Sequence, residues 1–236
     1  MSDVLKTFRA FLWPEKCVFC GRPGYYSQKN VCERCADSLP YIRGKTCAAC
    51  GCEKPMCSCR SSIMYYDRFT APLYYENEVR KSIHRLKFSS RKEYAKTYAA
   101  LMAERVRSEY YDESFDFITA VPMRGKERSR RGYNQSEEIV KALAELIGTE
   151  CKKDLIKKIY STERQSDSRM VNRTGNVFGV FDVAENIDGK SVLLVDDVRT
   201  TGSTLSECGK MLYLLGAKRV CCISLAAVKY NKKAKE

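Results

Sequence analysis

From residue 63 onward the apolar positions change period several times, and each change marks an element. Residues 63–76, rich in Tyr and β-formers, predict one or two strands. Glu93 to Tyr110 predicts a helix, with Tyr94, Tyr98, Leu101, Met102 and Val106 on one face. Phe115 to Val121 is a short apolar run closed by Pro122, which reads as a strand. Residues 134–147 predict a second helix, with Asn134 as N-cap, Ile139, Leu143 and Leu146 as its stripe, and Gly148 just past its end. Residues 162–176 are polar, Arg-rich and without period. Val192 to Val195 predicts a buried strand with Asp196 and Asp197 following at its carboxyl end. A helix bearing Leu205, Cys208, Leu212 and Leu215 comes next, stopped by Gly216, and Val220 to Val228 is a last strand. The tail 229–236 is basic and expected to fray. Strands alternating with helices imply an α/β fold with a mostly parallel sheet and helices on both faces.

Residues 1–62 follow a different pattern, so the chain divides into a small Cys-rich domain, 1–62, and an α/β domain, 63–236. Val4, Leu5, Phe8, Phe11, Leu12 and Trp13 form an amphipathic stripe interrupted by Lys6 and Arg9, which reads as a segment docked on its own domain, with a membrane-surface helix as the alternative. It has neither the apolar run nor the cleavage site of a secretory signal, and no stretch of the chain is apolar enough to span a bilayer. Nine of the thirteen cysteines then crowd into residues 17–59. Without an export signal, close cysteine pairs read as metal ligation in a reducing, cytoplasmic setting. Cys17-x2-Cys20 and Cys32-x2-Cys35 make one quartet; Cys47-x2-Cys50 and the tighter Cys57-x-Cys59 make a second, with Cys52 as an alternative ligand. Sequential pairing is the simplest arrangement, and an interleaved cross-brace satisfies the same spacing. Four thiolates leave no open position on zinc, so these are structural sites, one or two in number.

Charge adds a second theme. Lys and Arg total 42 against 29 Asp and Glu, a formal net charge of +13. The excess is dense at Arg80, Lys81, Arg85, Lys87, Arg91, Lys92 and Lys96, and again at Arg124, Lys126, Arg128, Arg130 and Arg131. Such patches suit a polyanion, either nucleic acid or a diphosphate. The lone histidine, His84, reads as incidental, and Cys151, Cys208, Cys221 and Cys222 as packed thiols.

The sharpest chemistry lies in residues 192–205. Open α/β sheets bind ligands just outside the carboxyl ends of their strands. Here an acidic pair is followed by Thr200, Thr201, Gly202, Ser203 and Thr204, then a helix. Hydroxyls, loop N–H groups and a positive helix end suit a phosphate, and the carboxylates suit sugar hydroxyls. Together they fit a phosphorylated sugar.

This segment resembles the phosphoribosyl-pyrophosphate (PRPP) loop of type I phosphoribosyltransferases. That resemblance implies that Asp196 and Asp197 contact the ribose hydroxyls and that residues 200–204 bind the 5′-phosphate. The order of cysteine knuckles, Leu86-Lys87-Phe88, Val121-Pro122, Arg128…Arg131-Gly132-Tyr133-Asn134-Gln135, Arg164-Gln165, Arg173-x2-Asn176-Val177 and this loop is similar to the ComF family over essentially the whole chain. The implied architecture is a zinc-ribbon module ahead of a Rossmann-like type I phosphoribosyltransferase domain. The implied cofactors are structural Zn²⁺ and Mg²⁺ arriving with PRPP. The resemblance places a diphosphate loop after Val121, where Arg124, Arg128 and Arg131 supply cations. It places a closing lid over 163–176 with Arg164, Gln165 and Arg173, and adds Lys87 as a ligand contact. The family is associated with natural competence and DNA uptake beside a ComFA-like helicase.

Two functions fit. One is a glycosyltransferase that moves phosphoribose from PRPP to an acceptor. The other is a non-catalytic protein that senses PRPP while its ribbons and basic patches hold single-stranded DNA or the helicase, with Tyr25, Tyr26 and Tyr41 as stacking candidates.

Overall fold

The computed structural model describes residues 15–24, 30–57, 59, 64–88, 94–122, 135–153, 155–158, 181–183 and 186–229. The expected stripe at 4–13, the stacking candidates Tyr25 and Tyr26, the N-cap Asn134, Arg124, Arg128, Arg131, Arg164, Gln165, Arg173 and the end of the tail lie outside these residues.

A six-stranded parallel sheet organises the rest. Its strands are β1 (Arg68–Thr70), β2 (Leu73–Tyr74), β3 (Phe117–Ala120), β4 (Glu150–Cys151), β7 (Ser191–Arg199) and β8 (Arg219–Ala227). The order across the sheet is β1-β8-β7-β3-β4, with β2 also on β8. β1 and β2 thus form an edge interrupted at Ala71-Pro72, where one or two strands were expected within 63–76. β5 (Ile156–Lys158) and β6 (Phe181–Val183) form a separate antiparallel pair, which the sequence pattern did not predict.

The central strands are apolar because both of their faces are covered. Leu193 and Val195 point into a core with α3 (Tyr94–Glu109) and α4 (Gln135–Ile147). Val192 and Leu194 point into a second core with α5 (Ser203–Leu214). All five stripe residues expected in α3 are buried. Gly148, at φ 70°, ends α4 by donating its N–H to the Ala144 carbonyl.

The cysteine-rich segment contributes α1 (Glu33–Ser38) and divides between the two cores. Cys17, Val18 and Phe19 join the α3–α4 core, and Ile42, Cys50 and Cys52 join the α5 core. Between them, residues 40–42 bind the β2 edge, with the Ile42 N–H on the Pro72 carbonyl and the Tyr74 N–H on the Pro40 carbonyl.

A helix not read from the sequence, α2 (Asn77–Phe88), occupies the first basic patch. Val79, Ile83 and Leu86 form its buried stripe. That signal was masked by the density of cations on its other faces.

Candidate functional site

β7 delivers the acidic pair. The strand does not stop at Val195, as its apolar run suggested, but pairs through Arg199, with Asp196 opposite Ser224 and Val198 opposite Ala226. β8 stays extended to Ala227 and keeps offering its backbone, so the carboxylates lie in the second half of the strand rather than beyond it. Asp197 is buried and Asp196 half-buried. Asp196 Oδ1 accepts the Asp197 N–H at 2.8 Å and the Ser136 hydroxyl at 3.5 Å. Ser136 lies in the first turn of α4, so a second helix N-terminus faces the acidic pair; no local pattern pointed to this serine.

The loop after β7 turns at Gly202, whose φ of 84° places it in the left-handed region. Gly202 is also the N-cap of α5, and no side chain caps the helix there. The Thr201 hydroxyl meets the Ser203 hydroxyl at 2.9 Å and accepts the Ser203 N–H at 3.3 Å. Thr200, Thr201, Ser203 and Thr204 are exposed. Beside two carboxylates, the loop therefore presents hydroxyls and the positive end of a twelve-residue helix to solvent. This is the arrangement that the sequence suggested for a phosphorylated sugar.

Arg199 was not expected. Between Val198 and Thr200 it reads as an exposed loop residue, yet it is only 1% exposed. Its Nε donates to the Tyr66 hydroxyl at 3.4 Å, and Nη2 donates to the Thr201 carbonyl at 3.3 Å. Tyr66 in turn donates to the Ala49 carbonyl at 2.7 Å. Burial pushes the Tyr66 phenol up to about 12 against the opposing pull of Arg199, so it stays a donor at neutral pH.

Lys87 lies on α2 in the last turn. Arg124, Arg128, Arg131, Arg164 and Arg173 are outside the described residues.

The cysteines gather into two groups, Cys17, Cys20, Cys32, Cys35 and Cys47, Cys50, Cys57, Cys59, each with all four sulfurs within 4.8 Å of one another. Tetrahedral thiolates about 2.3 Å from zinc stand about 3.8 Å apart. The Sγ separations of 3.7 Å for Cys20–Cys32, and of 3.6 Å for Cys47–Cys59 and Cys50–Cys57, fit that edge, while Cys57–Cys59 at 3.1 Å reflects the tight Cys-x-Cys turn. The grouping is sequential, not interleaved. Both knuckles use one backbone turn, with the Gly21 N–H on the Cys17 carbonyl and the Gly51 N–H on the Cys47 carbonyl, each at 2.8 Å. Burial raises the Cys17 and Cys47 thiols, but backbone N–H donors from the residues that follow outweigh it and hold each at about 7. Cys52 occupies the place that Arg22 holds in the first knuckle: its carbonyl closes the turn, and its thiol faces the Val228 carbonyl at 3.8 Å.

Residues 90–236 match the phosphoribosyl transferase domain family. The DNA utilization protein YhgH of Salmonella typhi is 28% identical over 88% of this chain and 94% of its own length. Competence protein F of Haemophilus influenzae is 26% identical over 87% and 93%, and competence protein ComFC of Bacillus subtilis 25% identical over 78% of each chain. With the parallel sheet, the acidic pair leading into an open helix N-terminus, and two cysteine quartets ahead of them, the chain belongs to the phosphoribosyl transferase domain family, as a member of the ComF type.

Proposed function

We propose that this chain binds PRPP at the carboxyl end of β7 and transfers its phosphoribosyl group to an acceptor met in DNA uptake or DNA processing. The observation that carries this reading is the acidic pair beside a hydroxyl-lined loop and an uncapped helix N-terminus. In this reading Asp196 and Asp197 hold the ribose hydroxyls, and Thr200, Thr201, Gly202, Ser203 and Thr204 hold the 5′-phosphate. Arg124, Arg128 and Arg131 meet the diphosphate, since guanidinium forks match phosphate oxygens. Arg164, Arg173 and Lys87 complete the ligand shell. Transfer breaks the bond from C1′ to the diphosphate oxygen and makes one from C1′ to the acceptor. The protein's part is to fix the sugar and stabilise the leaving charge. Mg²⁺ entering with the diphosphate adds further charge neutralisation. The two cysteine quartets hold structural Zn²⁺, for which their sulfur spacing and N–H donors are suited.

Calorimetric titration with PRPP and Mg²⁺ tests this. The wild type is expected to bind, and Asp196→Asn/Asp197→Asn to lose at least tenfold in affinity, the scale of one or two hydrogen bonds to charged groups. A folded, zinc-loaded wild type that gives no heat would overturn the reading.

A second reading concerns nucleic acid. An open groove of about 710 Å³ is lined by Tyr75, Asn77, Arg80, Lys81, His84 and Arg85. Cations beside an aromatic ring suit a single-stranded DNA backbone with a stacked base, and the relatives are named for DNA utilization and competence. Through this groove the chain would hold DNA, or DNA with a ComFA-like helicase, while PRPP occupies the β7 site. Salt-dependent oligonucleotide binding lost in Arg80→Ala/Lys81→Ala would support it, and binding indifferent to salt would count against it.

A further inference from the structure

Among the described residues, Arg199 is the largest fully buried side chain, and its Nη1 has no hydrogen-bond partner there. No carboxylate pairs with it there either. A buried guanidinium without a counter-charge is costly, and native structures seldom keep one. Its surroundings show where the counter-charge comes from.

The guanidinium lies over the Phe69 ring, 5.2 Å from its centroid. The same ring also meets Gly51, in the turn of the second cysteine knuckle. A Cβ built on Gly51 would stand 2.6 Å from the Phe69 ring, and one on Gly202 would stand 2.9 Å from Arg199 Nε. Both glycines have positive φ, 70° and 84°. The result is a continuous chain of contacts from knuckle backbone through aromatic ring and guanidinium to phosphate-loop backbone. Hydrogen bonds reinforce it. The Phe69 N–H donates to the Ala48 carbonyl at 2.7 Å. Tyr66 links the Ala49 carbonyl to Arg199 Nε, and Arg199 Nη2 reaches the Thr201 carbonyl. Ala48 and Ala49 are the two residues between Cys47 and Cys50.

A zinc ion held by four thiolates carries a net charge of about −2. The knuckle of that cluster touches the same ring that Arg199 lies over, so this charge is available to balance the buried cation. We propose that Arg199 is a positioning residue that locks the loop at Thr201-Gly202 to the second cysteine cluster, with the metal-loaded cluster as its counter-charge. The ligand-binding shape of the loop then depends on metal in Cys47, Cys50, Cys57 and Cys59, and not on metal in the first cluster. This rests on reading residues 200–204 as a phosphate loop. Coupling must also be reciprocal, so an occupied phosphate loop tightens the second metal.

The test uses the full chain with cadmium-113 in place of zinc, whose two thiolate resonances report the two clusters separately. The resonance of the second cluster is the one lost in Cys59→Ser. In Arg199→Met, which keeps length and apolar contact but removes charge, that resonance is expected to shift while the other stays. Affinity for ribose 5-phosphate should fall about tenfold, the loss of one charged hydrogen bond with its preorganisation. Arg199→Lys should restore part of both. A folded Arg199→Met with both resonances and the affinity unchanged would overturn the proposal. If the wild type binds neither PRPP nor ribose 5-phosphate, the phosphate-loop reading fails, and the cadmium shift still decides whether Arg199 senses the cluster.

Discussion

The two cysteine knuckles are built on the same turn, yet they are put to different uses. Thirty residues separate Cys17 from Cys47, and each knuckle closes through a glycine of positive φ directly after its second cysteine. The first docks on a helix. Ser82 of α2 donates to the Val18 carbonyl at 2.6 Å, and Arg85 donates to the Val18 and Phe19 carbonyls. The second docks on the strand edge through Tyr66 and Phe69, and through them on Arg199 and the loop of the candidate site. The two knuckles enter opposite cores of the sheet. A repeated local motif does not imply a repeated role. What differs is the set of carbonyls each turn offers and which neighbours claim them.

Removing one ligand from each quartet is the strongest way to break the comparison. Cys35→Ser and Cys59→Ser should each lower the bound zinc from two ions to one, read by metal analysis. Either should destabilise the chain on the order of several kcal/mol, because metal binding and folding are coupled. Only Cys59→Ser should also weaken ribose 5-phosphate binding in protein that remains folded. Equal weakening by both would mean that the knuckles are not distinct.

A subtler break uses the two glycines. At Gly21 a Cβ would meet nothing within 4 Å, so Gly21→Ala should cost only the positive-φ strain, about 1 kcal/mol. At Gly51 the same strain is joined by the collision with Phe69, and the cost should rise to about 2–4 kcal/mol. Denaturant melts of the two variants compare these directly; equal midpoints would show that the Gly51–Phe69 contact gives way freely.

Single hydrogen bonds sharpen the picture further. Ser82→Ala strips the first knuckle of a buried donor to Val18 and should cost about 1–2 kcal/mol without touching ligand affinity. Tyr66→Phe removes the bond to Ala49 and one partner of Arg199, for about 1 kcal/mol and a small loss of affinity. An affinity change in Ser82→Ala as large as in Tyr66→Phe would erase the distinction.

Much of this was legible in the chain. Val192 to Val195 announced a strand buried on both faces, and the stripe from Tyr94 to Val106 announced α3. Four close cysteine pairs announced two quartets, and the sulfur positions grouped them in sequential order. Other parts were misread, missed or left open, among them three with a clear physical reason. β7 ran past its apolar residues because β8 kept its backbone available through Ala227. α2 was hidden because cations outnumber its three core residues. Cys52, a possible ligand by spacing alone, faces Val228 because the turn spends that position on its carbonyl.

Spacing and period are local, and the sequence by itself determined what local patterns can encode: the order of strands and helices, the number of thiolates, and a loop suited to phosphate. Burial is not local. Arg199 meets Tyr66 across 133 positions of sequence, and Ser136 meets Asp196 across 60. Only the tertiary structure decided that Arg199, among the described basic residues, would be enclosed. It did so because the Phe69 ring, the Tyr66 hydroxyl and the turn at Gly202, each brought in by the fold, enclose the space that its planar guanidinium fills.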